Sequence, residues 1–118
     1  MKVFLVGDDG AEHDNLISVH RTYAGALKVW EARRLELLAH AKHMLEFEKK
    51  QARETLKKGT GYNGEKLDRE SIRYYRNQAT KGDEISLRII KNLKCKDPEK
   101  MDNYPHETPY IHEREVEE

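Results

Sequence analysis

Residues 23–64 read YAGALKVWEARRLELLAHAKHMLEFEKKQARETLKKGTGYNG, and this stretch decides the fold. From Tyr23 to Lys58 it holds no proline, and only Gly25 interrupts a run of strong helix formers. Leu27, Trp30, Leu37, Ala41, Leu45, Ala52 and Leu56 recur at three-, four- and seven-residue steps, which lines them along one helix face. Thr22 can cap the start by accepting a backbone N–H, and Gly59 suits a left-handed C-terminal cap. Such a helix is roughly 50 Å long, more than twice the reach of a six-residue strand, so it overhangs any sheet it packs on.

After the glycine-punctuated loop Gly59–Gly64 a second helix is predicted. Asp68 or Asn63 lies near its start, and Ile72, Tyr75, Ala79, Ile85, Ile89 and Leu93 form its apolar stripe. Gly82-Asp83 is placed to kink or divide it. A short connection makes the helices antiparallel neighbours, so residues 23–95 read as a helical hairpin.

Strand signals flank this hairpin. Val3, Phe4, Leu5 and Val6 form a continuous apolar run closed by Gly7-Asp8-Asp9-Gly10, which predicts a strand covered on both faces. Leu16 to Arg21 should pair back on it with Ile17 and Val19 on one face, beneath Trp30 and Tyr23. Residues 96–109 contain Asp97-Pro98, Tyr104-Pro105 and Thr108-Pro109 and read as a linker. Tyr110 to Val116 then returns as an acidic edge strand. The expected fold is α+β, a short sheet of about three strands (2–8, 15–21 and 110–117) with a long inserted antiparallel helical hairpin, all within one domain over 1–118.

Composition narrows function more than it names it. Charged residues make up 37% and hydrophobic ones 36%, which suits a thin core with solvated helices. Lys plus Arg equals Asp plus Glu at 22 each, so the net charge points to no anionic partner. Distribution is more informative. Residues 31–58 hold eight basic and five acidic side chains, 65–100 hold ten and seven, and the tail from Met101 is acidic. Cys95 is the single cysteine, so no internal disulfide forms and a reducing cytoplasm is the expected setting. The opening apolar run is too short for a membrane span, and no membrane partner is expected.

Several constellations could carry chemistry. Glu36, His40 and His43 share a helix face at metal-compatible spacing, though a solvated surface is the plainer reading, and no metal or other cofactor is expected. Asp8, Asp9, Glu12, His13 and Asp14 could offer oxygen ligands, but tight turns select the same residues for backbone reasons. Cys95 lies between Lys94 and Lys96, where a thiolate is favoured, yet no base accompanies it. No phosphate loop or nucleophile elbow is present, so no catalytic residue is assigned and a non-enzymatic protein is expected. The strongest cluster is Lys49, Lys50, Arg53, Lys57, Lys58, Lys66, Arg69 and Arg73, gathered at the hairpin tip with Tyr62, Tyr74 and Tyr75. Cations beside stackable rings suit nucleic acid or a nucleotide, and equally an acidic protein face.

The chain ends resemble a class of small bacteriophage proteins of unknown function with a ββα…β order. The matching stretches are Met1–Val6, Leu16–Thr22, Ala24–Leu27 and Ile111–Glu118, under half the chain, and residues 32–109 depart from them as a large helical insertion. The resemblance implies phage or prophage origin and a host-takeover or anti-defence role, and transfers no catalytic residue. The leading expectation is therefore a binding protein that docks on a host protein as an inhibitor. Nucleic-acid or nucleotide binding by the tip is the alternative, and homo-oligomerisation through the hairpins a third reading.

Overall fold

The computed structural model describes residues 1–9, 14–102 and 108–117. Strand β1 (Lys2–Asp9) lies at the centre of a three-stranded antiparallel sheet, between β2 (Asp14–His20) and β3 (Thr108–Glu115). Among the described residues the helices are α1 (Tyr23–Lys58), α2 (Arg69–Thr80) and α3 (Glu84–Leu93). The fold is α+β, with the helical hairpin inserted between the second and third strands. The molecule measures 66 × 24 × 17 Å with a radius of gyration of 19.2 Å. A compact chain of this length would have a radius near 13 to 14 Å, so the hairpin is a protruding arm.

Local chemistry sets the ends of the helices as the sequence predicts. The Thr22 hydroxyl accepts from the Gly25 amide at 3.1 Å, and Gly59 caps the other end of α1 at φ 75°, its amide donating to Thr55. Asp68, rather than Asn63, caps α2 through the Ser71 amide at 2.7 Å. Leu37, Leu45 and Ala52 are buried on the predicted stripe. The cross-links along the arm run antiparallel. Arg53 donates to the Ala79 carbonyl at 3.4 Å, Ser86 to the Glu48 carboxylate at 3.0 Å, and Arg34 to the Leu93 carbonyl at 2.7 Å.

The sheet corrects one expectation. Val6 pairs with Ser18 but Gly7 pairs with Leu16, so Ile17 is the extra residue of a bulge. Ser18 and His20 therefore alternate onto the α1 side, bonded to each other at 2.7 Å, while Val19 falls on the far face beside Leu5. Trp30 and Tyr23 do not pack over Ile17 and Val19, which are exposed. Trp30 instead packs with Val6, Ala26 and Met101 and donates its indole N–H to the Pro109 carbonyl at 3.0 Å, and Tyr23 meets Phe4 edge-on at 5.8 Å. Val3 and Gly7 are buried on the side away from α1, so β1 is covered on both faces as expected, although Leu16 and Val19 of β2 stay exposed on that side. There Tyr110 stacks on His112 at 4.0 Å and lies across Gly7, where a Cβ would come within 2.7 Å of the Asn15 carbonyl.

Strand limits move by one or two residues. β1 runs on to Asp9, β2 covers 14–20, and β3 begins at Thr108, inside the expected linker. Pro109 is tolerated because β3 is an edge strand, one side of which needs no donor. Gly10 and Tyr104-Pro105 lie outside the described residues.

The second helical segment is divided at Gly82. Its φ is 87°, and a Cβ there would collide with Leu45 Cδ1 and approach Lys49 Cε to 3.4 Å. Gly64 also has a positive φ, of 81°, but faces open space. Gly82→Ala is expected to cost roughly 2 to 4 kcal/mol, adding overpacking to backbone strain. Gly64→Ala should cost only about 1 kcal/mol. Urea denaturation of both variants measures the difference, and equal losses would remove the packing argument.

Arg34 is a charged residue on the apolar stripe, only 2% exposed. It reaches the carbonyl that ends α3, is held by an ion pair with Glu31 one turn back, and lies 5.9 Å from the centroid of the Trp30 ring. A cation suits that helix terminus, where unpaired carbonyls accumulate partial negative charge. The hydrogen bond from Arg34 holds the Glu31 carboxyl below its ordinary value of 4.5, against some desolvation. The folded state thus binds fewer protons at Glu31 than the unfolded chain, and this contribution is lost as pH falls below about 4.5. Wild type should lose more urea resistance than Glu31→Gln between about pH 6 and pH 3. Parallel losses in the two proteins would contradict this.

Candidate binding surface on the helical arm

The tip is a small hydrogen-bonded structure. Thr60 and Lys66 form a β-bridge, with the Gly61 amide donating to Glu65 and the Leu67 amide to Gly59. The Gly64 amide closes the turn onto Gly61, and Asn63 accepts from the Glu65 amide at 3.1 Å. Tyr62 sits at the apex of this turn, fully exposed. An ordered backbone presenting a large ring loses little entropy when the ring is covered by a partner.

Behind the apex the cations are sorted by helical spacing. Lys50, Arg53 and Lys57 follow one another along one flank of α1, and Lys49 lies nearer the seam, paired with Glu46 at 3.8 Å. On α2, Arg69, Arg73 and Arg76 form a row beside Ile72 around a recess of about 410 Å³. The bond from Arg53 to Ala79, on the same stripe of α2 as Ile72 and Arg76, places both rows on one side of the arm. Among the described residues Lys50, Arg53, Lys57, Arg69, Arg73 and Arg76 form no ion pair with a carboxylate.

The other predicted tip residues are not all on this side. Lys58 is five residues from Arg53, and Tyr74 five from Arg69, so each is turned more than a quarter turn away. Tyr74 packs edge-on against Tyr75 at 5.2 Å, and Lys66 lies in the bridge of the tip loop. Arg76 went unnoticed in the sequence, although its spacing from Arg69 and Arg73 marks it as the third member of their row. Asp68, like Glu70, is adjacent in sequence to Arg69. Its bonds to Ser71 hold its carboxyl below the ordinary value of 3.8, so it stays ionised as the cap of α2.

The remaining candidates have structural partners. Asp8 is buried and accepts from Arg33 Nε at 2.6 Å, a contact that raises the guanidinium pKa, and Arg33 also binds Glu36 at 3.1 Å. Glu12 and His13, with the side chains of Asp9 and Asp14, lie outside the described residues. His40 and His43 are exposed, and among the described residues no three His, Cys, Asp or Glu side chains are grouped to hold a metal. Cys95 is half-buried and its thiol donates to the Asp97 carbonyl. Asn92 grips the backbone of Asp102 from both sides, at 2.7 and 2.8 Å, beside a recess of about 400 Å³. Among the described residues no helix is long and apolar enough to cross a membrane. The chain matches no protein family, no curated protein and no solved structure.

Proposed function

We propose that this is a non-enzymatic binding protein of a phage or mobile element, acting in the host cytosol, whose helical arm docks on a host macromolecule and inhibits it. The observation that carries the reading is the arm itself, a rod ending in an ordered turn with Tyr62 at its apex. It offers extended contact area without a deep pocket, and an exposed tyrosine is a common energetic anchor of protein interfaces. The phage origin rests on the resemblance of the chain ends. Capture from host lysate by the intact protein is expected to fall at least tenfold with Tyr62→Ala, and to vanish when the turn is shortened between Gly59 and Leu67. Equal recovery by all three proteins would defeat the reading.

A second reading, direct binding of nucleic acid, is favoured by the row of Arg69, Arg73 and Arg76 with no carboxylate paired to it. Each arginine that neutralises a phosphate releases a counterion, so affinity should fall steeply with salt. Replacing Arg73 by Gln should then reduce the slope of log K against log salt by about 1. Absence of any shift with DNA or RNA at low salt would exclude this alternative and leave the protein partner.

A further inference from the structure

The flank of the arm away from the arginines is apolar. Leu37, Ala41 and Met44 of α1 and Ile89 and Leu93 of α3 line a groove of about 200 Å³, edged by His40, Glu48 and Ser86. Large apolar side chains near it remain in water, with Met44 38%, Phe47 50% and Ile85 52% exposed. Met44 and Arg53 are nine residues apart, about two and a half turns, which puts groove and arginines on opposite sides of α1. Phe47 sits close to the middle of the part of α1 that extends past the sheet.

We infer that this groove is the interface of a homodimer, in which two arms pack antiparallel about a two-fold axis near Phe47 to form a four-helix bundle. Charge identifies the occupant as a second copy. Residues 49–76, the outer arm, hold nine basic and four acidic side chains, whereas 1–22 and 94–118 together hold six basic and twelve acidic ones. An antiparallel pair lays the cationic outer arm of each copy towards the anionic sheet end of the other, and a parallel pair would stack like charges. A two-fold axis also lets one patch serve both partners, and a patch at mid-arm is where such an axis gives full overlap. Two hairpins that cover each other's open stripe make the usual four-helix solution. Overlap from Leu37 to Lys58, about 32 Å by roughly 20 Å, covers on the order of 600 Å² on each partner. That reaches the lower end of specific interfaces. The proposal is independent of the arginine flank, which stays outside the bundle.

Sedimentation between about 1 and 100 µM should show a monomer–dimer equilibrium, the range suited to an interface of this size. The dissociation constant should rise with salt, and at least tenfold in Phe47→Glu and Ile85→Glu, whose wild-type side chains are exposed enough that the monomer fold should persist by circular dichroism. In a Cys95→Ser background, nitroxides on Lys58→Cys should lie roughly 35 Å apart, eleven residues on either side of the axis. A monomer at every concentration, a dimer indifferent to both Phe47→Glu and Ile85→Glu, or a label separation below about 20 Å, as parallel helices would give, overturns the inference. So does a monomer that loses lysate capture in Phe47→Glu, which would assign the groove to a helix of another protein. Unchanged dimerisation of Arg73→Gln separates this result from failure of the binding readings above.

Discussion

Two consecutive turns of α1 join the sheet to the arm, and the rest of the architecture hangs on them. Trp30 fills the space over Val6 and bonds the Pro109 carbonyl, fixing β3 beneath the helix. One turn on, Arg34 crosses to the Leu93 carbonyl and fixes the end of α3. A buried guanidinium is costly unless its donors are used, and here Glu31 and the helix terminus use them. The first strand pair and the last segment are thereby attached to one rigid helix within about 6 Å of axial rise. Beyond Arg34, no hydrogen bond or ion pair among the described residues joins α1 to the sheet, and the arm is held together along its seam.

That seam is narrow, which explains both Gly82 and the open groove. Gly82 lets the turn between α2 and α3 descend onto Leu45, and the bonds from Arg53 and Ser86 bracket it. Two helices touch along one line only, so an apolar stripe wider than that line leaves residues such as Phe47 and Ile85 in water. The sheet has the same character in miniature. One face lies on α1, while on the other Tyr110 folds across Gly7 and compensates for the missing side chain there.

Much of this was legible because it depends on local chemistry. The span of α1, both its caps, the glycine loop and the three strands follow from spacing and turn residues read along the chain. Three features resisted for physical reasons. Arg34 carries a charge on the apolar stripe, and only the arrival of the α3 terminus makes that position favourable. Ile17 and Val19 look like core, but a bulge one residue long decides which face a strand shows, and no composition encodes it. Thr108-Pro109 reads as linker because proline opposes strands, and an edge position cancels that objection. In the binding surface, the cations themselves were visible from sequence. Their division between one flank and the rest required the handedness of two packed helices, whereas Arg76 was marked by its spacing from Arg69 and Arg73 alone.

Length also changes what a net charge of zero means. In a globule with equal numbers of acids and bases, each patch sits within a few ångströms of its opposite, and the fields cancel. Here 66 Å separates the two ends of the molecule, and the Debye length in physiological salt is only about 8 Å. The carboxylates around β3 therefore do not screen Arg69, Arg73 or Arg76, and each end presents its own potential to whatever approaches. The same separation gives the molecule a direction, since two copies aligned head to head repel and two aligned head to tail attract. An inserted hairpin thus converts a neutral chain into one with two chemically distinct ends, and it does so through helix length and one buried arginine.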